Sequence, residues 1–206
     1  MKTVTALVAQ QKNKRRVNLY LDGEYFCSLD LFTAISERLK VGEEVDEKRL
    51  AEIVEKAEYS SALDRSLTYI SKSMHTKVQV IKYLKDKQYS GKVIRLVIDK
   101  LTEYGYVDDE AYAEKYFKEK SACEGKRKIA YELKIKGVDE KVLEAALGDK
   151  SDDEEACRII AEKYIKGRQI DYQLKSKAYR YLLNKGFDYD TAKETLEKLQ
   201  DETDNS

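Results

Sequence analysis

Apolar side chains recur at helical spacing from about Ser60 to the end of the chain, and the pattern repeats itself. Leu84-Lys85-Asp86-Lys87-Gln88-Tyr89-Ser90 is followed 49 residues later by Leu133-Lys134-Ile135-Lys136-Gly137-Val138-Asp139, and after another 49 by Leu182-Leu183-Asn184-Lys185-Gly186-Phe187-Asp188. The same offset, without gaps, aligns Leu67, Tyr116 and Ile165, then Leu63, Tyr112 and Ala161, then Ile98, Leu147 and Leu196. A fixed offset that recovers apolar positions in three separate helices is the mark of a tandem structural repeat. Each unit divides into three helices. The first helices are predicted near 62–72, 109–120 and 153–166, the second near 77–87, 126–136 and 172–185, and the third near 91–104, 140–147 and 189–199.

Punctuation supports this division. Thr76 and Gln79 form a capping box, and Asp108 and Asp152 stand where a side chain accepts from first-turn amides. Gly137 and Gly186 fall where a helix ends in a left-handed residue, and Asp139 and Asp188 then cap the next helix. Gln88 occupies the glycine position in the first unit, so a differently shaped helix end is expected there.

The first residues follow another period. Val4–Val8 and Val17–Leu21 read as strands separated by the basic run Lys12, Lys14, Arg15 and Arg16. Asp22-Gly23 then lies between Leu19-Tyr20-Leu21 and Tyr25-Phe26-Cys27, the two-residue signal of a hairpin whose central residues take positive φ. Two or three antiparallel strands are expected, followed by helices near 30–39 and 46–57, the latter with Leu50, Ile53, Val54 and Ala57 on one face. The fold class is therefore mostly α: three tandem three-helix repeats behind a small N-terminal β-hairpin and helix unit. The expected boundaries are 1–59 for that unit, 60–107, 108–151 and 152–200 for the repeats, and 201–206 for a frayed tail.

Composition narrows the function classes. The chain has no proline, which suits long helices. Nearly two residues in five are charged, with 39 basic against 39 acidic, a balance unlike that of a stand-alone basic nucleic-acid binder. No apolar run is long enough for a membrane span and the N-terminus lacks a signal peptide, so a cytoplasmic protein is expected. Cys27, Cys123 and Cys157 form no CxxC pair and read as free thiols. His75, the lone histidine, reads as a solvent-facing connector residue. Asp108-Asp109-Glu110 and Asp152-Asp153-Glu154-Glu155 open helices, where acids complement the dipole. Gly-rich phosphate loops are missing. The expectation is a binding protein without catalytic residues, metal or cofactor.

Charge segregates within the repeats. The second helices are basic, with Lys77, Lys126 and Lys175 sharing one register position and Lys136 and Lys185 another. Arg127, Lys128, Lys134, Lys177 and Arg180 add to the same helices, while acids concentrate on the first and third. A solvated face is the bland reading of such runs. Their recurrence favours a discontinuous basic stripe suited to phosphates or an acidic protein groove. Most of the 16 tyrosines fall at or beside helical core positions and are assigned to packing.

The segment from Leu101 through Gly105-Tyr106-Val107-Asp108-Asp109-Glu110 to Tyr112-Ala113 resembles the RecX family of bacterial recombination regulators. So do Gly125 to Val138 and the closing stretch from Lys177 to Phe187. The resemblance covers about residues 60–200, with departures at Gln88 and at His75-Thr76. It implies a monomer that binds the RecA recombinase, chiefly its filament on single-stranded DNA, meets the DNA mainly through that filament, and restrains recombination. It carries over no catalytic residues and no sharp contact motif, so the ten basic residues above rest on the charge pattern. A helix-turn-helix-like DNA-binding regulator and a general helical-repeat scaffold are the other readings, and the balanced charge and the repetition weigh against the first.

Overall fold

The computed structural model describes residues 1–147 and 151–204. They group into two compact units, one made of residues 1–74 with 80–107 and the other of 75–79 with those from 108 on.

The first unit opens with strands β1 (Lys2–Ala9), β2 (Arg16–Leu21) and β3 (Glu24–Asp30), then the short helix α1 (Leu31–Ser36) and a two-residue strand β4 (Glu44–Val45). The sheet is antiparallel in the order β3-β2-β1-β4. Asp22 and Gly23 turn β2 into β3 with φ of 50° and 87°, as the hairpin signal required. β4 is a fourth strand that the pattern did not announce, because two residues are too few to show a period. Val17, Leu19 and Leu21 alternate inward along β2 and meet Val4, Leu29 and Val45 in one core.

Helix α2 (Glu47–Ile70) departs from expectation, being one helix of 24 residues where two separate helices were predicted. Its first half buries Leu50, Ile53 and Ala57 against the sheet. Its second half buries Ala62, with Tyr59, Leu63, Leu67 and Ile70, against α3 (Lys77–Asp86) and α4 (Gly91–Glu103). At about 100° per residue these two apolar stripes lie on nearly opposite sides of the helix. The periodicity therefore breaks while the backbone does not, since no proline or glycine stands between Asp46 and Ile70.

The second unit holds α5 (Asp109–Lys120), α6 (Lys126–Ile135) and α7 (Glu140–Ala146) around Ala113, Ile129, Leu133, Val138 and Leu143. It continues with α8 (Ser151–Ile165), α9 (Tyr172–Lys185) and α10 (Tyr189–Asp204) around Cys157, Ala161, Leu182, Phe187 and Leu196. Each three-helix group thus has its own apolar core. Residues 201–204, expected to fray, continue α10, while 205–206 and the side chain of Asp152 lie outside the described residues.

The helix ends follow local chemistry. Asp108 accepts from the amides of Glu110 and Ala111, Asp139 from that of Lys141, and Asp188 from that of Thr191. Gly137 and Gly186 are left-handed, at φ of 86° and 95°. Gln88 takes the same conformation at φ 63°, so the first repeat ends its second helix as the others do, despite the side chain.

Candidate interaction surface on the second helices

Every helix leaves amides at its start and carbonyls at its end without intrahelical partners. In the second unit the starts of second helices meet the ends of the next second helices, and each supplies what the other lacks. Thr76 and Gln79 form the expected reciprocal box, with Thr76 N donating to Gln79 Oε1 (3.0 Å) and Gln79 N to Thr76 Oγ1 (3.2 Å). The Thr76 hydroxyl in turn donates to the Lys136 carbonyl at the end of α6 (2.6 Å), and Lys77 N donates to Asp109 Oδ1 (2.8 Å).

The same joint recurs one repeat later with different chemistry. Gly125 N donates to the Lys185 carbonyl at the end of α9 (2.8 Å), and Lys126 N donates to Asp153 Oδ1 (2.9 Å). Thr76 and Gly125, Lys77 and Lys126, and Lys136 and Lys185 are the 49-residue equivalents. The first turn of α3, then α6, then α9 are therefore linked start to end, which brings Lys77 beside Lys136 and Lys126 beside Lys185 along the backbone. By sequence Asp109 and Asp153 are dipole-complementing acids; in the structure both are also acceptors that tie one repeat to the next. Burial raises the Asp153 pKa, partly offset by its bond to the Lys126 amide.

The structure divides the ten basic residues by what their side chains touch. Lys128 pairs with Glu124 (2.9 Å) and Lys134 with Glu140 (2.8 Å), and the bonded carboxylate raises the pKa of each ammonium. Lys136 stands 5.3 Å over the Tyr116 ring and Lys185 5.6 Å over Tyr181. Lys175 donates to Gln200 Oε1 (2.7 Å) and Arg180 approaches Ser176 Oγ at 3.4 Å. Lys126 Nζ is enclosed, 6.0 Å from the Phe117 ring, and makes no hydrogen bond among the described residues. Lys77 is half-buried. Arg127 and Lys177 are exposed and make no side-chain hydrogen bond or ion pair among the described residues.

On α6 the exposed positions are Arg127, Tyr131, Lys134 and Ile135, spaced as one helical face. Tyr131 is 65% exposed and Ile135 67%. Neither was singled out from the sequence, where a tyrosine or isoleucine at helical spacing reads as core. The signal that locates them is their offset from Ile129 and Leu133, which hold the buried side of the same helix. The core assignment does hold for the stacked pairs Tyr69–Tyr83 (4.2 Å) and Tyr164–Tyr181 (4.5 Å).

His75, expected to face solvent, is half-buried at the head of α3, and this burial lowers its pKa against the opposing bond to Gln79. Among the described residues no cluster of histidine, cysteine, aspartate or glutamate is arranged to hold a metal ion, and no helix is long and apolar enough to cross a membrane.

Comparison with known proteins agrees with this architecture. Residues 2–46 match the model of the regulatory protein RecX N-terminal domain, and residues 62–111, 108–147 and 152–196 match the models of the first, second and third RecX three-helix domains. The regulatory protein RecX of Clostridium tetani is 37% identical over 202 residues, which are 95% of this chain and 94% of its own. That of Bacillus subtilis is 30% identical, across 99% of this chain and 80% of its own. A crystal structure of regulatory protein RecX superposes with a TM-score of 0.73 at 28% identity, covering 94% of this chain and 98% of that one. The crystal structure of RecX from Lactobacillus salivarius gives 0.64 at 27% identity, covering 70% of this chain and 97% of that one. Four domain models in order, relatives matched along nearly the whole chain and the repeated helix joint lead to one conclusion: the chain belongs to the RecX family of regulatory proteins.

Proposed function

We propose that this chain binds the RecA recombinase in the cytoplasm, as a monomer, with preference for its filament on single-stranded DNA, and that it restrains recombination without chemistry of its own. The observation that supports this reading most directly is the start-to-end linkage of α3, α6 and α9. It joins the second helices of successive repeats end to end, and these carry exposed basic side chains on α6 and α9 and exposed apolar ones on α6. Arg127, Tyr131, Lys134 and Ile135 on α6, with Lys177 and Arg180 on α9, are the accessible part of that surface.

Contacts spread over several weak repeats gain from effective concentration when the partner is a polymer. A filament repeating the same acidic or phosphate-lined groove is therefore favoured over its free subunit. Titrating the protein into a RecA reaction on single-stranded DNA, while following ATP turnover and strand exchange, tests the proposal. Both activities fall at or below stoichiometric amounts if it holds. Unchanged activity with folded protein in excess overturns it. Binding to bare duplex in preference to the coated strand is the outcome that selects the DNA-reading alternative.

A further inference from the structure

Among the described residues, no apolar core cluster includes the second face of the N-terminal sheet, where Asn18 and Tyr20 are half-buried. β2 turns Val17, Leu19 and Leu21 inward, so Arg16, Asn18 and Tyr20 stand on the opposite side. The register places Val8 opposite Asn18, and Ser28 and Tyr25 opposite Asn18 and Tyr20 on the other flank. Tyr25 is 58% exposed and meets Tyr20 edge to face, with ring centroids 5.9 Å apart at 77°. Beside them lies a small polar group. Gln10 Nε2 donates to Asn18 Oδ1 (2.8 Å) and to Ser28 Oγ (3.0 Å), Ser28 Oγ donates to Asn18 Oδ1 (2.8 Å), and the Tyr25 hydroxyl is 3.0 Å from Ser28 Oγ. Asn18 Nδ2 and Gln10 Oε1 make no hydrogen bond among the described residues, which leaves one amide donor and one acceptor on the face.

Charge along β1 and β2 has one sign, whereas the β2–β3 turn and β3 carry Asp22, Glu24 and Asp30. The first 21 residues contain Lys2, Lys12, Lys14, Arg15 and Arg16 and no acid, although the whole chain is balanced. Lys12, Lys14 and Arg15 are exposed in the β1–β2 turn, at the end of the face where Gln10 and Arg16 lie.

We propose that this face binds single-stranded nucleic acid directly, independently of any recombinase. Tyr25 and Tyr20 receive bases, the Gln10–Asn18–Ser28 group bonds base edges, and the Lys12–Arg15 turn holds phosphates. Each part answers one chemical property of the ligand. Bases stack on aromatic rings whatever their identity, phosphates are drawn by clustered cations, and a free amide pairs with exposed base edges. Residues on one face of a strand recur every ~6.6 Å, a repeat close to that of successive phosphates in an extended strand. A lipid surface is the competing occupant, because Phe32 (79% exposed) and Ile35 lie on α1, which is joined to the basic turn by the Leu31 N–H bond to the Arg15 carbonyl (2.7 Å). The amide and hydroxyl group favours the nucleic acid, since unstacked base edges present the donors and acceptors that such groups pair with.

The experiment measures fluorescence anisotropy of a labelled 20-nucleotide oligo(dT) with the full chain, recombinase absent, across a salt series. Three variants accompany the wild type. Tyr25→Ala removes the exposed ring, Tyr25→Phe keeps the ring and loses the hydroxyl, and Lys12→Glu/Lys14→Glu/Arg15→Glu reverses the turn. The expected result is binding weakened about tenfold by Tyr25→Ala and retained by Tyr25→Phe. The charge reversal should weaken it further and flatten its salt dependence. Lys198→Glu, exposed on α10 and outside both the sheet and the second helices, should leave oligonucleotide binding unchanged. The proposal is overturned if the oligonucleotide does not bind, if Tyr25→Ala and the charge reversal bind as wild type with unaltered circular dichroism, or if the protein takes up phosphatidylserine vesicles instead. Assaying the same variants for restraint of RecA keeps this outcome separate from the proposed function, which does not depend on the sheet.

Discussion

Gly125 lies so close to Gly186 that a methyl group on it would stand 2.5 Å from the Gly186 carbonyl carbon and 2.5 Å from the Phe187 nitrogen. Its φ is −76°, so glycine is required here by approach of two backbones and not by backbone conformation. Both obstructing atoms are main chain and cannot swing aside. Gly125→Ala is therefore expected to cost about 1–3 kcal/mol and lower the denaturant midpoint, read by urea titration. Gly91→Ala, in open space at the start of α4, serves as the matched control with little change.

Asp153 separates the roles of charge and acceptor at the same joint. Asp153→Ala leaves the Lys126 amide without its partner and should cost about 1–3 kcal/mol. Asp153→Asn keeps an acceptor and removes a carboxylate that burial disfavours. A raised folded pKa means that the stability contribution is fully present below the ordinary carboxylate range and is lost as pH rises through the raised value. The asparagine variant escapes that loss. Its stability relative to wild type should be greatest near neutral pH and shrink on acidification, measured by thermal melts between pH 3 and pH 7 (~4 units, spanning the carboxylate titration).

Partner binding should depend on accessible groups and not on every lysine of the second helices. Lys126 and Lys128 are held within the fold, so reversing them mixes loss of packing with loss of contact. Arg127→Glu/Lys177→Glu/Arg180→Glu is expected to weaken restraint of RecA by tenfold or more with helicity unchanged, an effect that grows at low salt. Tyr131→Ala tests the apolar share of the same face and should weaken binding by at least about fivefold, the loss of a contact worth ~1 kcal/mol. Full activity in both variants would remove the second helices from the interface.

Thiol reactivity provides an independent check on the fold. Burial pushes the Cys157 and Cys27 thiols up to about 11, while Cys123 is exposed. Ellman's reagent at neutral pH should label Cys123 promptly and the other two only after denaturant is added. Rapid reaction at Cys157 would show that the core of α8, α9 and α10 opens in the native state.

The repeats were legible because three copies of one pattern at a fixed offset reinforce one another, and because Gly137, Gly186, Asp108 and Asp188 act locally. Gln88 was not legible. Its left-handed conformation is imposed by the turn into α4, and nothing in the residue type announces it. The length of α2 was hidden since its two apolar stripes serve different cores, which a single period cannot represent. The joint was hidden for another reason. Asp109 and Asp153 each look sufficient as first-turn acids, and only a distant amide reveals the second role. At the candidate surface the sequence identified the basic helices, yet charge alone could not tell Arg127, which is exposed, from Lys126, whose ammonium is enclosed. Tyr131 and Ile135 were masked by resemblance to core residues.

The order in which the chain leaves the ribosome gives the Gly125 joint a further meaning. When α6 has emerged, the amides at its start lack the Asp153 carboxylate and the Lys185 carbonyl, because neither has yet been translated. Residues are added at about 5–20 per second, so 60 residues, the separation of Gly125 from Lys185, represent roughly 3–12 s of synthesis. During that interval the middle repeat can pack its own apolar core but has one open end. Completion runs backward along the chain, with each newly made repeat closing the one before it, so a message truncated after α7 yields a product exposing unpaired backbone at α6.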